Sequence, residues 1–159
     1  MMNLCFEIRD ALQGRLLVTA ESCTGGGIGA LLTSVPGISA VYKGGVISYC
    51  NELKHDLLGV DYSLLEEYGA VSAPVAEAMA AGAKSRLSAD VAISVTGLAG
   101  PDGDSYGNPV GTVYIGYCDE AQCFSEKYHF SGDREHVQKQ AVRMALEIVL
   151  RCNKAEKIS

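Results

Sequence analysis

Residues 90–97, DVAISVTG, are apolar almost without interruption. Alternating strands bury one face. A continuous run is typical of a strand covered on both faces. The run LLVT at 16–19 reads the same way. Covering both faces takes helices, and the chain supplies them between its strands. SAPVAEAMAAGAKSRL (72–87) is the clearest, with Ser72 as its cap, alanines that favour helix, and Val75, Met79 and Ala83 on one face. SGDREHVQKQAVRMALEIVLRC closes the pattern as a long helix. Strands alternating with helices predict an α/β fold, a three-layer α/β/α sandwich. VGTVYIGYC and QCFSEKYHF read as a hairpin through Asp119 and Glu120, so the sheet is expected to be mixed.

Shorter elements fill the rest. Residues 2–13 read as an amphipathic helix and 42–49, YKGGVISY, as a strand. NELKHDLLG reads as a short helix with Asn51 as cap and Gly59 as stop, and SLLEEYG as another. A further helix is expected from the glycines after Thr24, stopping before Pro36. No repeat or long linker interrupts the 159 residues, which suit one domain over 1–159. With 48% hydrophobic and 20% charged residues, a disordered chain is excluded. A net charge of −6 argues against broad nucleic-acid binding. No run approaches the roughly 20 apolar residues of a membrane span. The N-terminal stretch lacks the apolar segment of a signal peptide. The expectation is a cytoplasmic protein with neither nucleic acid nor membrane as partner. Six cysteines without a CxxC pair, and three histidines, speak against a closed zinc site. Cys118 and Cys123 can face each other across the expected hairpin.

Three glycine-marked turns follow expected strands: Glu21–Gly27, Thr96–Asp104 and Ser131–Arg134. Ligands of layered α/β folds gather where strands end and helices begin. In the first turn, AESCTGGG, Ser22 precedes a helix start and can attack a carbonyl, with N–H groups of Gly25 and Gly26 as oxyanion donors. A plainer reading has Ser22 or Thr24 capping that helix. A third takes Gly25–Ala30 as a dinucleotide fingerprint, although four residues separate it from the strand. A serine nucleophile needs a base. His55, His129 and His136 are each more readily structural or solvated. Lys54, five residues after Tyr49, can serve if burial lowers its pKa; otherwise it is an exposed helical lysine, and Lys43 and Lys84 are rivals with no better argument. Tyr49 can then relay or stabilise the proton. In the second turn Thr96 offers a hydroxyl, and Gly97 and Gly100 expose backbone donors. In the third, Arg134 opposes the dipole of the last helix. It either clamps a phosphate there or pairs with Asp133 or Glu135.

Taken together, AESCTGG, YCNELK, YGAVSAPVAEAMAAGA, SVTGLAGPDGD…PVGTVYIG and SGDRE run in this order from about Leu16 to the last helix. They resemble the CinA C-terminal domain family of PncC-type nicotinamide-nucleotide amidohydrolases. The likeness is to the stand-alone form, without the molybdopterin-binding-like domain that precedes this one in longer CinA proteins. The resemblance implies deamidation of nicotinamide mononucleotide to nicotinic acid mononucleotide and ammonia, within pyridine nucleotide salvage. It implies a Ser, Lys and Tyr group that falls on Ser22, Lys54 and Tyr49. It also implies a homo-oligomer that takes a small-molecule nucleotide and needs neither cofactor nor metal. Thr24, Thr96, Gly97, Gly100 and Arg134 are then the expected substrate contacts, with Arg134 on the 5′-phosphate. The chain departs from the family's pattern at Cys50, where Ser is common, and at Asp104, where a second Gly is common. Two other readings stand beside it. One is a non-catalytic nucleotide-binding module linked to competence or DNA-damage responses. The other is an amidase using Cys23.

Overall fold

The computed structural model describes residues 1–154. The two apolar runs become β1 (Leu17–Glu21) and β3 (Val91–Gly97), buried along nearly their whole length. β2 (Tyr42–Ile47), β4 (Thr112–Cys118) and β5 (Cys123–His129) complete a sheet ordered β2-β1-β3-β4-β5. β1 runs parallel to β2 and β3, whereas β4 and β5 are antiparallel, so the sheet is mixed. The central position of β1 and β3 is why their sequences do not alternate.

Successive strand residues point to opposite faces, and each face has its own core. Leu17, Ile93, Val95 and Ile115 pack against α1 (Met2–Ala11), α2 (Gly27–Leu32) and α6 (Arg134–Asn153). Val18, Ala20 and Ala92 pack on the other side, against α3 (Asn51–Leu58), α4 (Tyr62–Tyr68) and α5 (Ala73–Arg86). The result is the α/β/α sandwich expected from the sequence. Among the described residues, no helix is long and apolar enough to cross a membrane.

Two capping expectations are corrected. The N-cap of α3 is Cys50, and Asn51 is already helical. Ser72 is the N-cap of α5, but its hydroxyl donates backwards to Gly69 O at 2.8 Å instead of accepting from the helix. Cys118 and Cys123 stand directly opposite at the hairpin end, joined through their sulfurs.

This topology brings the three glycine-marked turns to one edge. β1, β2 and β3 are parallel, so their carboxyl ends share that edge. Gly97 pairs with Val113, and Thr112 with His129. That register delivers the end of β5, and therefore the start of α6, to the same side.

Candidate active site

Ser22 is the first residue beyond β1, and its backbone is fixed from several directions. Ser22 N donates to Val95 O of β3 at 3.0 Å, and Ser48 N donates to Glu21 O at 2.8 Å. Gln138 of α6 donates to Cys23 O at 3.0 Å. The chain then turns through Gly25 and Gly26 at φ +60° and +100°, where a side chain would be strained.

Glu21 locks this turn to the helix. Its carboxylate is 2% exposed, and one oxygen accepts from Thr24 Oγ1 at 2.7 Å and Ile28 N at 2.9 Å. The other accepts from Gly29 N at 3.1 Å. A negative charge on the first turn of α2 also suits the helix dipole. So the side chain that caps α2 is Glu21, not Ser22.

Ser22 is thereby free for Lys54. The α3 helix carries Lys54 inward, where it is 1% exposed. Lys54 Nζ lies 2.9 Å from Ser22 Oγ and 2.8 Å from Ser48 O. Burial pulls the Lys54 pKa down to about 8. A lysine so placed is a neutral amine for about a tenth of the time at pH 7, far more than an exposed lysine. The neighbouring Cys23 is buried and its pKa is pushed up to about 12, so it stays a thiol.

Ser22 and Lys54 open into a cavity of about 470 Å³, also lined by Tyr49, Asn51, Thr96, Gly97, Gly100, Asp102, Tyr106 and Arg134. Arg134, the first residue of α6, donates to Tyr49 Oη at 2.8 Å and to Gly100 O at 2.6 Å. The Tyr49 hydroxyl thus sits on Arg134, and among the described residues it makes no hydrogen bond to Ser22 or Lys54. Thr96 lines the cavity but its hydroxyl donates to Ala70 O at 2.8 Å. Asp104 holds the far loop in shape through Tyr106 N, Asn108 N and Asn108 Nδ2. Among the described residues, no three His, Cys, Asp or Glu side chains gather as a metal-holding group.

Of the residues expected from the sequence, Ser22, Tyr49, Lys54, Thr96, Gly97, Gly100 and Arg134 are brought together around this cavity. Thr24, Gly25 and Gly26 are not. Thr24 gives its hydroxyl to Glu21, and Gly25 N donates to Ser22 O at 3.0 Å. Gly26 packs against the Ile47 side chain on the other side of the turn. The physical reason is the tightness of the turn, which closes on itself and on Glu21. Glu21, Asn51 and Tyr106 are the residues that sequence reasoning missed. The signal for Glu21 was available: an acidic residue at the end of a buried strand, a few residues ahead of a helix.

A family model described as the CinA C-terminal domain matches residues 6–153. The chain is 47% identical over 152 residues to a protein from Enterobacter agglomerans named nicotinamide-nucleotide amidohydrolase PncC, covering 94% of this chain and 93% of that one. It is 50% identical over 125 residues to a CinA-like protein of Geobacter metallireducens, but spans only 30% of that longer chain. The crystal structure of a competence/damage-inducible protein from Agrobacterium tumefaciens superposes with a TM-score of 0.92 at 37% identity, covering 96% of this chain and 95% of that one. Match, identity and superposition extend over nearly the whole chain, which therefore belongs to the CinA C-terminal domain family.

Proposed function

We propose that this protein is a nicotinamide mononucleotide amidohydrolase that works through a Ser22 acyl-enzyme. One observation carries the reading: a buried lysine of lowered pKa, 2.9 Å from a serine hydroxyl at a cavity mouth. Neutral Lys54 accepts the Ser22 proton as Oγ attacks the carboxamide carbon. The Lys54 ammonium then returns a proton to the leaving nitrogen, and ammonia departs. Water, deprotonated by Lys54, attacks the ester and releases nicotinic acid mononucleotide with Ser22 restored. Tyr49 assists the proton transfer. The PncC names of relatives in Enterobacter agglomerans and Pseudomonas putida support the substrate class.

Backbone N–H groups must hold the developing oxyanion. Gly25 N is engaged with Ser22 O and Gly26 does not line the cavity, so Ala99 and Gly100 are candidate donors. Both line the cavity, and among the described residues neither amide donates to another backbone group. Arg134, which also lines the cavity, receives the 5′-phosphate, aided by the N-terminus of α6. A single domain in the cytoplasm fits this role.

Ammonia release from nicotinamide mononucleotide tests the proposal. Turnover that yields nicotinic acid mononucleotide supports it. Tight mononucleotide binding without ammonia would favour the non-catalytic module instead.

A further inference from the structure

The Arg134 guanidinium lines the cavity and holds two neutral oxygens, Tyr49 Oη at 2.8 Å and Gly100 O at 2.6 Å. Among the described residues it meets no carboxylate. Its neighbours Asp133 and Glu135 are taken by His136 and Lys139 respectively. A guanidinium that binds only neutral acceptors exchanges them readily for a dianion, because the anion adds opposite-charge attraction and bidentate geometry that a hydroxyl or carbonyl lacks. The two acceptors are not equally easy to displace. Gly100 O belongs to the backbone of a loop anchored through Asp104 and Asn108. Tyr49 is a side chain, 61% exposed, at the end of β2. Its hydroxyl is the one partner that can leave cheaply.

We propose that Arg134 is a positioning residue that couples phosphate binding to Tyr49: a phosphate dianion takes the Tyr49 bond, and the freed hydroxyl turns to the Ser22–Lys54 pair. Without the anion, Arg134 keeps Tyr49 away from the reacting atoms. Binding energy from the phosphate end, remote from the carboxamide, is thereby spent on completing the catalytic group, which raises kcat and not only affinity. The consequence is discrimination against amides that lack a phosphate. This coupling rests on the mononucleotide reading for its kinetic consequence, but not for the competition between Tyr49 and the anion.

The test therefore has two arms. In the first, inorganic phosphate is titrated into the free protein by calorimetry. Y49F removes the competing acceptor and is expected to bind phosphate about tenfold or more tightly than wild type, the size expected for one hydrogen bond to a charged group. R134A is expected to lose binding. Equal or weaker binding by Y49F, or no binding by wild type, overturns the coupling whatever the substrate is. In the second arm, nicotinamide riboside is turned over with added phosphite dianion as the missing piece. Phosphite is expected to raise riboside turnover saturably, on the order of tenfold, in wild type but not in R134A. R134K, which keeps the charge but not the fork, is expected to respond weakly. Unchanged or inhibited riboside turnover in a wild type that hydrolyses the mononucleotide overturns the coupling alone. Tighter phosphate binding by Y49F in a protein inactive on both amides keeps the coupling and overturns the amidohydrolase reading.

Discussion

Lys54 Nζ and Ser22 Oγ are 2.9 Å apart, and Ser48 O holds the same nitrogen from behind at 2.8 Å. Ser22 and Ser48 lie just beyond the ends of β1 and β2 and Lys54 lies within α3, so the pair exists only in the folded protein. Its chemistry depends on which of the two holds the proton.

The first prediction concerns pH. Lys54 acts as a base only when neutral, and its pKa is about 8. The initial-rate kcat/KM should rise about tenfold per unit of pH below that value and level off above it. A profile flat from pH 6 to pH 10 would exclude Lys54 as the base.

Folding stability should carry the same signature. Burial lowers the Lys54 pKa from 10.5 to about 8. Between these values the unfolded chain binds more protons at this site, so stability rises with pH across that window. Relative to K54M, wild type should gain on the order of 3 kcal/mol between pH 8 and pH 10.5, with the difference constant below pH 7. Urea unfolding of both proteins across pH measures it. A difference independent of pH would mean that Lys54 titrates normally.

Glu21 should matter through the turn it holds. E21Q replaces one acceptor oxygen by an NH₂ that faces a backbone N–H, either of Ile28 or of Gly29. An unsatisfied buried donor costs about 1–3 kcal/mol. E21Q should unfold at lower urea and lose kcat more than KM, because Ser22 shifts while the phosphate end stays intact. Unchanged kcat with reduced stability would confine Glu21 to the fold.

Gly82 sets how close α3 lies to α5. A Cβ there would stand 1.8 Å from the Leu58 carbonyl oxygen, a backbone atom. Alanine favours a helix over glycine by about 1 kcal/mol, but overpacking costs about 1–3 kcal/mol or more when backbone must move. G82A should therefore be destabilised in thermal melts, and slower, since α3 carries Lys54. An equally stable, equally active G82A would show that α3 adjusts freely.

The layer order was readable because β1 and β3 are buried on both faces and cannot alternate. Helix starts were less so: side-chain capping reads Asn51 as a cap, yet Cys50 takes that place and Asn51 faces the cavity. Ser22 and Arg134 were legible because a hydroxyl and a guanidinium stood at glycine-marked turns that the sheet collects on one edge, whereas Lys54 and Tyr49 were legible as the base a serine needs and through the family resemblance. That Thr24, Gly25 and Gly26 lie away from the cavity was not legible, because the turn's own hydrogen bonds, set by the buried Glu21, are a tertiary fact. Equally invisible was the bond from Arg134 to Tyr49, which joins residues 85 apart in sequence.

The most direct test of the account is ammonia release from nicotinamide mononucleotide by wild type and S22A side by side, with mononucleotide binding measured on both. The account predicts that S22A still binds but releases ammonia roughly a thousandfold or more slowly. Release by S22A at the wild-type rate would contradict it.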